Sequence, residues 1–132
     1  MLRYMLDTNL CIRVLRDRPQ SLRARFNAEA GHMALSAIVL SELLYGAEKS
    51  ARPQAHRDAV ERFANRLAVI PFDESAAAHA AEIRADLARK GLQIGSYDVL
   101  IAGHARTCGL VVVTGNLREF QRVEGLRSED WG

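Results

Sequence analysis

Cysteine, proline, aromatic residues and long apolar runs are all scarce in this sequence of 132 residues. Its two cysteines, Cys11 and Cys108, are too few for a disulfide framework. Both lie in apolar stretches typical of helices, so we expect buried free thiols in a reducing compartment. No run approaches the roughly 18–20 apolar residues that a membrane span needs, and the apolar stretch after Met1 is too short for a signal peptide. We therefore expect a cytosolic protein with no membrane partner.

Sequence motifs that would indicate a catalytic class directly are missing as well. Neither glycine-rich phosphate-binding signature occurs, and no Ser-His-Asp arrangement can be argued. The histidines show no metal-ligand spacing; they are His32, His56, His79 and His104. The chemistry of any active site has to come from other side chains.

Neither sign of charge is in large excess, because 18 basic residues stand against 16 acidic ones and the net charge is +2. Charge alone therefore does not indicate nucleic-acid binding. Only Lys49 and Lys90 are lysines, so all the other basic residues are arginines. Arginine suits phosphate groups because its planar fork binds two oxygens, although codon bias in a GC-rich genome gives the same excess.

Short apolar runs alternate with helix-like segments along the chain. The predicted strands are Leu2–Leu6, His32–Leu35, Ala68–Phe72 and Leu110–Thr114. The predicted helices are Asn9–Arg16, Gln20–Glu29, Ala37–Glu48, Pro53–Leu67, Glu74–Lys90 and Tyr97–Thr107, with Ser36, Asp73 and Ser96 as N-caps. This alternation, with an unbroken β-branched run in the last strand, predicts one α/β domain over residues 1–132. We expect a three-layer α/β/α sandwich around a small, mainly parallel central sheet.

Acidic side chains lie at or near the ends of these strands, where ligands bind in open α/β sheets. Asp7 comes directly after the first strand, although capping of the next helix would also explain it. Glu42 interrupts a strongly apolar helix and needs a partner, either an arginine or a metal ion. Asp98 falls in the first turn of a helix, where the helix dipole also favours an acid.

The segment after the last strand adds two further candidates. Gly115 permits a sharp turn, after which Asn116 and Glu119 can face the same edge of the sheet; a plain turn is the alternative. Carboxylates gathered at one edge repel one another, and a divalent cation relieves that repulsion. A site of oxygen ligands without Cys or His favours Mg²⁺, with Mn²⁺ as a substitute.

Five blocks of sequence give the chain a resemblance to a known family. They are Met5–Asn9, Ser41–Ala47, Tyr97–Ala105, Val113–Phe120 and Glu129–Trp131. With these blocks in this order and spacing, the sequence resembles the PIN-domain ribonucleases, specifically the VapC-type toxins of bacterial type II toxin–antitoxin pairs. The resemblance extends from the first residues to the last.

The resemblance places the metal-binding acids of the family on Asp7, Glu42 and Asp98. We expect Asp7 and Asp98 to bind Mg²⁺ directly, and Glu42 to bind it directly or through water. Many PIN domains carry an aspartate where Asn116 stands, which leaves open whether Glu119 or Asn116 is the fourth site residue. We take Glu119 as the fourth catalytic and metal-binding acid, with Asn116 hydrogen-bonded beside it.

Other polar residues are expected to orient these acids or to contact RNA. The side chains expected to hydrogen-bond near the acids are Thr8, Asn9, Ser36, Thr114 and Asn116. An acidic pocket repels the RNA backbone, so nearby arginines have to steer it. Arg118 is the first candidate, and a solvated loop arginine is the alternative.

The resemblance also implies an activity and its partners. It implies an endoribonuclease that cleaves tRNA, with the anticodon region of initiator tRNA favoured, and thereby inhibits translation. It further implies a VapB-type antitoxin that holds the enzyme inactive, a homodimer, and contact with DNA only through the antitoxin.

Four other classes of protein fit parts of the sequence. A haloacid-dehalogenase-like phosphatase needs a second aspartate at the position of Asn9, and a receiver domain needs a lysine that neither Lys49 nor Lys90 supplies. A catalytically impaired interaction module is favoured only by Asn116. A nuclease that acts on DNA is the fourth alternative.

Overall fold

The five strands in a computed structural model, which describes residues 1–132, are short and all parallel. They are β1 (Tyr4–Leu6), β2 (Met33–Ser36), β3 (Ala68–Ile70), β4 (Val111–Val113) and β5 (Ser128–Glu129). Their order in the sheet is β3-β2-β1-β4-β5. Strands β2 and β3 therefore lie on one side of β1, and β4 and β5 lie on the other. The junction of β1 and β4 is the switch point at which open α/β sheets bind their ligands.

Seven helices flank this sheet. They are α1 (Thr8–Leu15), α2 (Gln20–Ala28), α3 (Ala37–Glu48), α4 (Pro53–Ala64), α5 (Glu74–Lys90), α6 (Ser96–Cys108) and α7 (Leu117–Phe120). The predicted α/β/α architecture with a parallel central sheet is confirmed. None of these helices combines the length and the hydropathy that crossing a membrane requires.

The core is one cluster of 27 buried apolar residues centred on β1 and its neighbours. Met5 and Leu6 are fully buried, and the Phe26 ring stacks on Phe63 at a centroid distance of 5.5 Å. One histidine joins this interior: His104 of α6 is 1% exposed, and its Nδ1 lies 2.8 Å from the Ser36 hydroxyl. Burial lowers the pKa of His104, against the opposing effects of the Asp73 charge and the Pro71 carbonyl.

Several details differ from the sequence-based prediction. Cys11 is fully buried as expected, but the Cys108 prediction is wrong, because this residue is the exposed last residue of α6. Ser96 is the first residue of α6 and not its N-cap; Gly95 holds that place without a side-chain bond. The short elements α7 and β5 were not predicted, because four and two residues are too few to show periodicity.

The α5–α6 pair packs closely at Gly103. A Cβ atom built on Gly103 would lie 2.5 Å from the backbone nitrogen of Ala80 and 2.7 Å from its Cα. Backbone atoms cannot move aside as a flexible side chain can, so the contact requires glycine. Gly46 in α3 differs, since a Cβ there would meet no atom within 4 Å.

We predict that Gly103→Ala lowers the free energy of unfolding by about 1–3 kcal/mol, because the added methyl group overpacks the helix interface. Gly46→Ala is the matched control, and it should be neutral or raise the free energy by up to about 1 kcal/mol, since it removes a glycine from a helix interior. Urea unfolding followed by circular dichroism measures both. Equal changes in the free energy of unfolding for the two substitutions would show that the close approach of the helices at Gly103 does not contribute to stability.

Candidate active site

The site begins with a buried carboxylate at the switch point of the sheet. Asp7 directly follows β1 and is only 4% exposed, while Thr114 directly follows β4 and is fully buried. The Thr114 hydroxyl donates to Asp7 Oδ2 at 2.5 Å, and the backbone N–H of Leu10 donates to Asp7 Oδ1 at 2.8 Å. Asp7 therefore caps α1 and at the same time joins the ends of β1 and β4.

The surroundings of Asp7 act on its charge in opposite directions. Burial raises the pKa of Asp7 above its ordinary value, and the nearby Glu42 charge adds to that rise. The hydrogen bonds from Thr114 and Leu10 and the Arg13 guanidinium oppose it. The site thus holds a carboxylate that takes up a proton more readily than an exposed aspartate and that a further positive charge would stabilise as an anion.

Glu42 enters the site from α3. This helix begins at Ala37, where the Ser36 hydroxyl accepts a hydrogen bond from the Ile38 N–H at 3.1 Å. Glu42 is half-buried, and its Oε1 accepts a hydrogen bond of 2.6 Å from the Thr8 hydroxyl. No arginine forms an ion pair with Glu42, so the structural alternative weighed from the sequence is not observed. The carboxylate keeps a second oxygen for another partner.

Asp98 lies in the first turn of α6, with Glu119 of α7 beside it. Burial, a hydrogen bond between the two carboxyl groups and the negative charges of Glu119, Asp7 and Glu42 together raise the pKa of Asp98 to about 7. A carboxyl group with this pKa is partly protonated near neutral pH. Protonation of Asp98 reduces the repulsion among the neighbouring carboxylates.

Three of the predicted acids surround one cavity of about 250 Å³. Its lining consists of Asp7, Thr8, Asn9, Glu42, Gly95, Ser96, Tyr97 and Asp98. The structure therefore brings Asp7 from the end of β1, Glu42 from α3 and Asp98 from α6 together, and Glu119 of α7 contacts Asp98. Their roles as metal ligands stay a prediction.

The donor set of this cavity fits a hard divalent cation. Its charged groups are all carboxylates, and neither Cys nor His lines it. No three Asp, Glu, His or Cys side chains converge closely enough to hold an ion by themselves. Mg²⁺ does not require that, because it keeps several waters and is bound through one or two carboxylates.

The remaining predicted site residues fall into two groups. Thr8 and Thr114 hydrogen-bond Glu42 and Asp7, as expected of orienting residues. The other residues form no hydrogen bond to an acid through their side chains; they are Asn9, which lines the cavity, Ser36, Asn116 and Arg118. Ser36 was expected to orient an acid, but its hydroxyl contacts the Ile38 N–H and His104 instead. Asn116 contributes its backbone N–H, which donates to the Thr114 hydroxyl at 2.8 Å.

Arg13 is the residue that sequence reasoning missed. It is half-buried on α1, its charge lowers the pKa of Asp7, and it donates to the Gly132 carbonyl. Its Nη1 also lies 3.0 Å from the point where a Cβ of Gly115 would stand. A basic residue within the otherwise apolar run Leu10–Leu15 was the signal available in the sequence.

Comparison with known proteins identifies the relatives of this site and fold. A model of the PIN domain matches residues 4–126. The chain is 51% identical to the tRNA(fMet)-specific endonuclease VapC of Shigella flexneri and 53% identical to the protein of the same name from Salmonella typhimurium. Both alignments cover 99% of each chain. Among solved structures, the chain is similar to one in DNA-bound VapBC from Salmonella typhimurium, with a TM-score of 0.96, 53% identity and 100% coverage of both chains.

We predict that Thr114→Val weakens divalent-cation binding about 10- to 100-fold, because Asp7 loses the hydroxyl that orients it while the side-chain shape is kept. Isothermal titration with Mn²⁺ measures the affinity, and circular dichroism checks the fold. Thr107→Val is the matched control, since the Thr107 hydroxyl hydrogen-bonds only Ser75 and lies in the last turn of α6, whereas Asp98 lies in its first turn. Equal Mn²⁺ affinity of Thr114→Val and the unsubstituted protein would contradict the assignment.

Proposed function

This chain belongs to the PIN-domain family and is a VapC-type ribonuclease toxin, and we propose that it hydrolyses RNA with Mg²⁺ held by Asp7, Asp98 and Glu42. The observation that carries the proposal is the shared cavity, in which carboxylates from three elements meet at the switch point of the sheet. Dependence on a divalent metal is general among PIN-domain nucleases. Mg²⁺ as the ion, with Mn²⁺ as a substitute, is our assignment.

The acids have different parts in this proposal. Asp7 and Asp98 would hold the cation directly, and Glu42 would hold it directly or through water. When bound, such an ion lowers the pKa of a water molecule and neutralises developing charge on the phosphate. Glu119 is the fourth acid, because its carboxyl group and its charge act directly on Asp98. Loss of the Asp98 proton is the change that makes that carboxylate available as a ligand.

Hydroxyl groups and arginines complete the machinery. The hydroxyls of Thr8 and Thr114 fix the orientation of Glu42 and Asp7 through their hydrogen bonds. The charge of Arg13, which does not line the cavity, stabilises the ionised form of Asp7. Arg118 is exposed on α7 and forms no polar contact within the chain, so its guanidinium is free to meet the RNA backbone.

The names of the relatives support a finer substrate and partner. Relatives that are 51% and 53% identical are named as specific for tRNA(fMet). We extend this to the present chain and assign the anticodon region of initiator tRNA as its target. The DNA-bound VapBC complex supports a VapB-type antitoxin as the partner. Contact with DNA only through the antitoxin is part of the proposal. A homodimer and a cytosolic location stay part of the proposal.

We predict that Asp98→Asn lowers the rate of RNA cleavage by at least about 100-fold. Mutation of a residue that only hydrogen-bonds a metal ligand already lowers activity about 10- to 100-fold, and Asp98 is itself a proposed ligand. Glu61→Gln is the control, since Glu61 is exposed on α4 outside the site. Cleavage of a labelled tRNA is followed on denaturing gels. EDTA should stop the reaction, and Mg²⁺ or Mn²⁺ should restore it. Full activity of carefully purified Asp98→Asn would refute the mechanism.

We also predict that the enzyme cuts initiator tRNA in its anticodon loop and leaves elongator methionine tRNA and DNA of the same sequence intact. Unstacked loop bases are accessible to a protein, which is the reason to expect the cut in the loop, and the names of the relatives support the restriction to the initiator tRNA. Sequencing of RNA ends after induced expression, compared with expression of Asp98→Asn, measures the target. New ends in another RNA would keep the ribonuclease assignment and reject this substrate.

A further inference from the structure

One aromatic ring stands exposed at the mouth of the acidic cavity. Tyr97 is 56% exposed, lines the cavity with Asp7, Glu42 and Asp98, and precedes Asp98 in the first turn of α6. It is the only hydrophobic side chain among the eight lining residues. Only two other large hydrophobic side chains, Met1 and Tyr45, are more exposed than Tyr97.

Nothing within the chain explains the position of this ring. The Tyr97 hydroxyl takes part in no hydrogen bond, and the ring forms no aromatic or cation–π pair. Tyr45, the other exposed tyrosine, differs, because the Lys49 ammonium lies 4.9 Å from the centre of its ring and it does not line the cavity. Tyr97 therefore keeps an open aromatic face directly beside the acids.

The charge of the cavity limits how RNA can be held there. Asp7, Glu42 and Asp98 repel phosphate oxygens, so charge within the cavity cannot supply affinity for the RNA backbone before a cation is bound. Stacking of a base on an aromatic ring supplies affinity without a charge, and every base has a face that can stack. A ring at this rim can hold the nucleotide beside the bond to be cut.

We propose that the face of Tyr97 binds one nucleobase of single-stranded RNA next to the scissile phosphate. This inference rests on the proposed ribonuclease function and adds a base-binding subsite to it. The proposed contact is made by the face of the ring, and the Tyr97→Phe variant tests whether the hydroxyl takes part. The nucleobase is the ligand, and its sequence identity is not read by the ring alone.

The test compares steady-state cleavage of one RNA by three variants. The substrate is a single-stranded oligoribonucleotide that spans the site cut by the unsubstituted enzyme. Tyr97→Ala should raise KM about tenfold or more with a smaller change in kcat, as expected for loss of a stacking contact. Tyr97→Phe should restore the KM of the unsubstituted enzyme. Tyr45→Ala is the matched control and should leave KM unchanged, since this ring lies outside the cavity.

Abasic substrates distinguish stacking from a structural role. We expect one abasic position beside the cut to raise KM for the unsubstituted enzyme and to cause no further rise for Tyr97→Ala. The inference would be overturned if every abasic position raised KM by the same factor for Tyr97→Ala as for the unsubstituted enzyme. An unchanged KM of Tyr97→Ala on the intact RNA would overturn it as well. Failure of the unsubstituted enzyme to cut any RNA would instead refute the proposed function, so the two failures are distinguishable.

Discussion

Burial of the Asp7 carboxylate at the end of β1 is the constraint on which the rest of this site depends. Removing an ionised carboxylate from water is costly unless hydrogen bonds and opposite charge compensate it. Here the Thr114 hydroxyl, the Leu10 N–H and the Arg13 guanidinium do so. Because Thr114 comes from the end of β4, the compensation requires β1 and β4 to be neighbours in register. The order of the strands and the ionisation of the site are therefore coupled.

The carboxylates of the site also repel one another as long as no cation is bound. Burial and three other carboxylates raise the pKa of Asp98 to about 7, so this group is partly protonated near neutral pH. Protons and divalent ions compete for the same oxygens. The carboxylates at this edge of the sheet therefore favour the binding of a cation, as a cation-dependent hydrolytic site requires.

The sequence predicted the parts of this site that follow directly from strand ends and helix starts. Asp7, Glu42 and Asp98 were found because each disturbs an apolar pattern or begins a helix. Ser36 was misread because the sequence could not show that its hydroxyl faces Ile38 and His104. Arg13 was missed because its effect on Asp7 depends on the turn of α1 and on the Gly115 loop. Elements as short as α7 and β5 depend on tertiary contacts and leave no periodic signal.

The division between cavity and rim bears on what kind of RNA the enzyme accepts. Asp7 is almost fully buried, and Glu42 and Asp98 are half-buried, whereas the Tyr97 ring is open to solvent. A base can reach that ring only if it leaves its own stack, which costs little in a loop and much in an A-form helix. A loop such as the anticodon loop meets this requirement through its shape. Discrimination between loops of different sequence then has to come from groups other than the acids and the ring, because neither reads the edge of a base.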